Sequence, residues 1–126
     1  MRRSIATDDA PAAVGAYSQA MAHDGLLFTA GQIPMTPDGE VLADAPIERQ
    51  TERALDNVLA ILDEAGLTAA DVLKTTVYLD DVDEFEAMNA TYATYFDADP
   101  PARSAVEVAA LPRGVGVEIE AIAADE

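Results

Sequence analysis

The sequence predicts an α+β protein, with one sheet and two helices packed on one of its faces. Three observations carry that prediction. Short alternating or β-branched runs lie towards both ends of the chain, two central stretches repeat apolar residues every three or four positions, and the runs follow the order βββ-α-β-α-ββ. A two-layer arrangement is the simplest way for such a set to bury every apolar face.

Ile5-Ala6-Thr7 reads as a short strand, and residues 18–32 as two strands joined at Asp24-Gly25, a strong two-residue hairpin signal. A second turn follows at Asp38-Gly39, after a proline. From Pro46 the period changes: Ile47, Thr51, Ala54, Leu55, Val58, Leu59 and Leu62 form one stripe with charged residues between them, and Gly66 ends the helix. Residues 73–79, "LKTTVYL", are a strand by composition. A second helix is expected from Val82 to Phe96, its stripe made of Val82, Phe85, Met88, Tyr92 and Phe96, with Asp83 and Glu84 suiting the positive N-terminal end. Strands at about 102–110 and 116–123 close the chain.

At 126 residues the chain is expected to form one domain, large enough to bury about two thirds of its unfolded surface. No window approaches the ~20 apolar residues of a membrane span. The N-terminal segment has no apolar core of a signal peptide, so a cytoplasmic protein is the default expectation. The absence of cysteine removes disulfides, thiol catalysis and thiolate metal sites together. Twenty-four acidic residues against seven basic ones give a formal charge of −17, which argues against nucleic acid and anionic membranes as partners. The charges are scattered, which favours solvation in high salt over a surface that recruits a cationic partner.

Alternation along the last two strands sorts their charges. Ser104, Val106 and Val108 share one side of the first, with Arg103, Ala105 and Glu107 opposite; Val117, Ile119 and Ala121 oppose Glu118 and Glu120 in the second. With the helices over the valine and isoleucine side, Arg103, Glu107, Glu118 and Glu120 are expected together on the uncovered face. Glu107 and Glu120 there fit a solvated or subunit-interface role. Arg103 stands among small and apolar neighbours, and its guanidinium suits bidentate capture of a carboxylate, either an internal glutamate or a ligand. Tyr17 is a core aromatic or a ring over a ligand. Asn89 borders the apolar stripe of the second helix and reads as a structural clamp. His23, the only histidine, reads as a surface residue, so Ser18 and Ser104 have no base for a triad and no histidine pair offers a metal site.

The segments "IATDDAPAAVGAYSQA", "FTAGQIP", "KTTVYLDDVDEFEAMNATYATYF", "PPARSAVEVAALP" and "VEIEAIA" resemble the YjgF/RidA family of reactive intermediate deaminases, in the family's order and over nearly the whole chain. The resemblance implies a chorismate-mutase-like fold assembled as a homotrimer, with three sites in the clefts between subunits. It implies that Arg103 grips a substrate carboxylate and that Glu118 orients water and transfers protons. Tyr17 and Asn89 would lie near the cleft, and the backbone around Ala30, Gly31, Ser104 and Ala105 would line it. The implied reaction hydrolyses enamines and imines such as 2-aminoacrylate and 2-aminocrotonate to 2-oxo acids and ammonia, and needs no metal or organic cofactor. Burial would raise the Glu118 pKa and a nearby Arg103 would lower it. Two positions depart from the family pattern: Ala105 where many members have cysteine, and Ala30 where many have serine before "GQIP". The first removes thiol chemistry, and the second removes one hydrogen bond to substrate or water. The competing expectations are a non-catalytic trimer that binds 2-oxo or amino acids, an RNA-cleaving translation inhibitor, and a holdase-like chaperone.

Overall fold

The computed structural model describes residues 1–126. Its elements are β1 (Arg3–Ile5), β2 (Ala20–His23), β3 (Leu26–Thr29), α1 (Ile47–Glu64), β4 (Val72–Leu79), α2 (Phe85–Ala93), β5 (Ala102–Glu107) and β6 (Val117–Ala124). Six strands form one sheet in the order β1-β2-β3-β6-β4-β5, and every neighbouring pair is antiparallel except β4 with β5. Both helices lie on one face, as the order βββ-α-β-α-ββ requires.

Local chemistry accounts for the boundaries. Asp24 and Gly25 turn the β2–β3 hairpin with φ of 50° and 79°, the two left-handed residues that a tight hairpin needs. Helix α1 ends on Gly66 (φ 80°), where the Gly66 amide bonds to Asp63 and the Leu67 amide to Leu62, so two otherwise free carbonyls are satisfied. Its apolar stripe meets two core clusters. Val58, Ile61 and Leu62 pack on Leu27, Ala121 and Ala123, while Leu55 and Ala54 join Met88 and Tyr92 of α2 over Val77, Val117 and Ile119. The alternating burial along β6 puts Val117, Ile119, Ala121 and Ala123 under the helices and Glu118, Glu120 and Ile122 on the open face.

Several expectations change. Strand β1 lies at Arg3–Ile5, not at residues 5–7, because the Thr7 amide turns inwards to the Gln19 side chain (2.6 Å). Helix α2 is shorter than 82–96: a 3-10 turn occupies Val82–Glu84, and the α-helix stops at Ala93. Strand β5 ends at Glu107, not near residue 110, and the Glu107 carboxylate accepts a bond from the Val82 amide (2.8 Å) and so caps that turn.

The largest correction concerns Arg103. Its register partner on β4 is Thr75, and Ala105 and Glu107 pair with Val77 and Leu79. Those three β4 residues are buried beneath the helices, so Arg103 lies on the helix-covered face and not beside Glu118 on the open one. The valines of β5 misled the assignment: Val106 is 44% exposed beside Tyr78 on the open face, where no helix covers it.

Candidate active site

The chain carries two separate groups of the expected site residues. The first is built by a bulge. From Phe28 to Gln32 the chain leaving β3 takes four steps, whereas β6 takes three between their partners Ile122 and Ile119. The extra residue detaches Ala30 and Gly31 from the ladder. Thr29 Oγ1 accepts the Ala121 amide in place of the missing backbone bond (3.0 Å), and the Ala30 amide turns to the Gln19 carbonyl (2.8 Å). Gly31 then lies directly against Glu118, where a Cβ would collide with Glu118 Oε2.

Glu118, Gly31 and Tyr17 share a cleft of about 530 Å³, whose wall also includes Gln19, Gln32 and Arg113. The Tyr17 ring is 54% exposed, so it is a wall residue and not a core aromatic; its hydroxyl accepts a long bond from the Val14 amide (3.4 Å). The Glu118 carboxyl pKa is raised, first by burial and then by the negative charge of Glu120 two residues on. Glu120 in turn accepts the Tyr78 hydroxyl (3.1 Å), and burial and that carboxylate keep the phenol protonated. Arg103 does not contribute at Glu118, so within the chain nothing offsets the upward shift.

The second group surrounds Arg103. Its Nη1 donates to Asn89 Oδ1 (2.6 Å), and its Cζ lies 5.2 Å from the Phe85 ring centroid and 4.8 Å from that of Tyr92. Nε and Nη2 make no hydrogen bond within the chain, and none of its 24 acidic residues pairs with Arg103. The internal-glutamate alternative is therefore excluded. Ala105, on the same face, packs against the core, whereas Ser104 points to the open face.

Arg103 and Glu118 lie two strands and three residues apart, since β4 pairs Thr75 with Arg103 and Tyr78 with Glu118. Ordinary strand spacing puts their backbones roughly 14 Å apart, with the side chains on opposite faces. His23 sits exposed at the end of β2 beside Asp24, a surface residue as expected. Sequence reasoning missed Phe85 and Tyr92 as neighbours of Arg103. Their spacing with Asn89, at i, i+4 and i+7, was a legible signal, but it also describes an ordinary core stripe.

Fold and sites together define a two-layer α+β protein with a protonatable carboxyl in an open cleft and an unpaired, ring-flanked arginine on the other face. Residues 7–125 match the family described as endoribonuclease L-PSP, and the chain belongs to that family, also called YjgF/RidA. It is 52% identical to a RutC family protein of Haemophilus influenzae over 98% of this chain and 97% of the relative. It is 49% identical to the 2-iminobutanoate/2-iminopropanoate deaminase of Escherichia coli K12, over 98% of each chain. A crystal structure of E. coli TdcF with bound serine superposes with a TM-score of 0.93 at 41% identity, covering 98% of this chain and 99% of that one. No helix is long and apolar enough to cross a membrane.

Proposed function

We propose that the protein is a deaminase that hydrolyses 2-imino and 2-enamino carboxylates, such as 2-aminoacrylate and 2-aminocrotonate, to 2-oxo acids and ammonia. Arg103 holds the substrate carboxylate and Glu118 moves the protons. The observation that carries this reading is the state of Arg103: fixed in place, charged, and without a carboxylate partner in a chain rich in carboxylates. Nε and Nη2 form the side-on edge of the guanidinium, which matches the two oxygens of one carboxylate. The activity named for the E. coli relative and the serine bound to TdcF, an amino acid carboxylate, support the same ligand class.

The chemistry needs few groups. Protonation at carbon converts the enamine to the imine, water adds to the imine carbon, and the carbinolamine expels ammonia to leave the 2-oxo acid. Each step moves a proton, and burial raises the Glu118 carboxyl pKa, the direction that lets one carboxyl give a proton as well as accept one. Glu118 has that property, and Gly31 leaves it the space to face the cleft. Tyr17 supplies an exposed ring at the cleft wall.

Arg103 and Glu118 of one chain are on opposite faces, so one substrate meets both only where two copies adjoin. This reading therefore places each site between two copies, in the homotrimer that the family resemblance implies. The open face supports it: Phe28 and Val106 expose large apolar groups there beside Ile122 and Tyr78. The net charge of −17 stands against a ribonuclease reading, because phosphate contact would have to overcome strong repulsion.

The test is pyruvate release from 2-aminoacrylate, generated fresh by a serine dehydratase in high salt. Turnover above the spontaneous rate is expected from the protein, with loss of at least about a hundredfold in Arg103→Ala while the trimer persists. Unchanged turnover in Arg103→Ala would remove the carboxylate assignment. A folded protein that accelerates nothing yet binds pyruvate would instead be a non-catalytic ligand-binding trimer.

A further inference from the structure

We propose that Phe85 and Tyr92 are positioning residues that clamp the Arg103 guanidinium between two aromatic rings and so fix the plane in which it receives a carboxylate. This inference rests on the carboxylate-binding role proposed for Arg103. Phe85, Asn89 and Tyr92 occupy one stripe of α2, at i, i+4 and i+7, and present ring, amide and ring in turn to the edge strand β5. The guanidinium carbon lies 5.2 Å from the first ring centroid and 4.8 Å from the second, and the amide between them takes Nη1 (2.6 Å). All three contacts come from one rigid element, so they act on the arginine together.

The clamp is itself held. Tyr92 is 4% exposed, and its hydroxyl lies 2.6 Å from Thr75 Oγ1, a bond in which either oxygen can donate. Thr75 is the register partner of Arg103 on β4, so the ring is tied to the strand beside the residue it supports. The Tyr92 ring also packs against Phe96 (4.9 Å between centroids, planes tilted by 42°). Burial keeps the Tyr92 phenol neutral, so its ring face offers the cation a quadrupole and no competing ion pair.

The consequence is chemical. A free arginine side chain samples many rotamers, and ordering it on binding weakens affinity. With Nη1 committed to Asn89 and two rings within about 5 Å of Cζ, Nε and Nη2 are left as the donor edge without a partner in the chain. A planar carboxylate fits that edge bidentately, and a monodentate anion uses half of it.

Phe85→Leu is the informative variant, because leucine keeps apolar volume on a half-buried site and removes the ring. Two readouts are needed in the full-length protein. In ¹⁵N relaxation measurements the Arg103 Nε–H signal, assigned by its absence from Arg103→Lys, is expected to be ordered in the parent and mobile in Phe85→Leu. Pyruvate titration followed by NMR is expected to show affinity lower by about tenfold in Phe85→Leu, restored in Phe85→Tyr, with KM rising in parallel and kcat within about twofold. An Nε–H equally ordered in Phe85→Leu, or a leucine variant that binds pyruvate as tightly as the tyrosine variant, overturns the clamp. Because order and pyruvate binding are read without turnover, a protein that shows the expected losses but hydrolyses no imine sinks the deaminase reading and leaves the clamp standing.

Discussion

Gly31 and Glu118 behave as one steric unit. Gly31 has no positive φ, so alanine there meets no backbone penalty; what it meets is the Glu118 carboxyl. Gly31→Ala is expected to displace Glu118 and lower turnover by at least about a hundredfold while the melting temperature shifts little, measured on the same preparation. Wild-type turnover in that variant would mean that Glu118 is free to act from another position. The Glu118 carboxyl also makes a pH prediction. Its pKa is raised by burial and by Glu120, so its contribution to folding is complete below the unfolded value and is lost as pH rises through the folded one. Glu118→Gln does not ionise, so its stability relative to the parent should be level below about pH 4 and grow as pH rises above it, until the folded carboxyl is ionised. Thermal melts across pH decide it, and a pH-independent difference would contradict the buried, charge-coupled environment. Glu118 was legible as a candidate site residue through the family resemblance of "VEIEAIA", but its intimacy with Gly31 was not. Eighty-seven positions separate them in the chain, and only the bulge after β3 closes that gap.

At the scale of elements, buried carboxamides hold the loops that wall the cleft. Gln19, 3% exposed, accepts the Thr7 amide (2.6 Å) and directs its Nε2 at the carbonyls of Thr7, Ala10 and Pro11, the last at 2.8 Å. Its own carbonyl receives Ala30, so one residue joins the loop that carries Tyr17 to the bulge that carries Gly31. Asn57 does similar work from α1, donating to Ile33 (3.1 Å) and Met35 (2.9 Å) while Arg53 holds its oxygen. Gln19→Leu preserves bulk but leaves an amide and several carbonyls without partners, so a loss of roughly 2–3 kcal/mol is expected in urea unfolding. A loss under about 0.5 kcal/mol would mean that water replaces the side chain. The elements themselves were largely readable, because periods of two and of three to four are local properties of the chain. Their ends were not. Strand β1 and helix α2 differ from expectation where a distant side chain, Gln19 or Glu107, takes up a backbone amide.

The arrangement of the whole molecule sets its strongest test. If Arg103 and Glu118 serve one substrate, as proposed, their places on opposite faces of one sheet let them do so only across copies, so inactive variants should complement each other. Arg103→Ala and Glu118→Gln chains, unfolded and refolded together, are expected to regain activity in about a quarter of their sites, those that draw both residues from unmutated positions. Mixing without refolding serves as the control. Complete inactivity of the refolded mixture would place both residues of each site in one chain, against the shared-site reading.

The sequence by itself determined the class of fold, the order of its elements, the hairpin at Asp24-Gly25, the end of α1 at Gly66 and the pattern of residues that marks the family. All of these rest on interactions within a few residues or on side-chain period. Only the tertiary structure decided which face Arg103 occupies. Alternation sorts a strand into two sides but does not label them, and the β5 valines marked the wrong one as core. The label comes from what packs above: Thr75, Val77 and Leu79 in the neighbouring strand, and the Phe85, Asn89 and Tyr92 stripe of α2. That placement separates the arginine from Glu118, leaves its donor edge free, and makes a second copy of the chain part of the proposed chemistry.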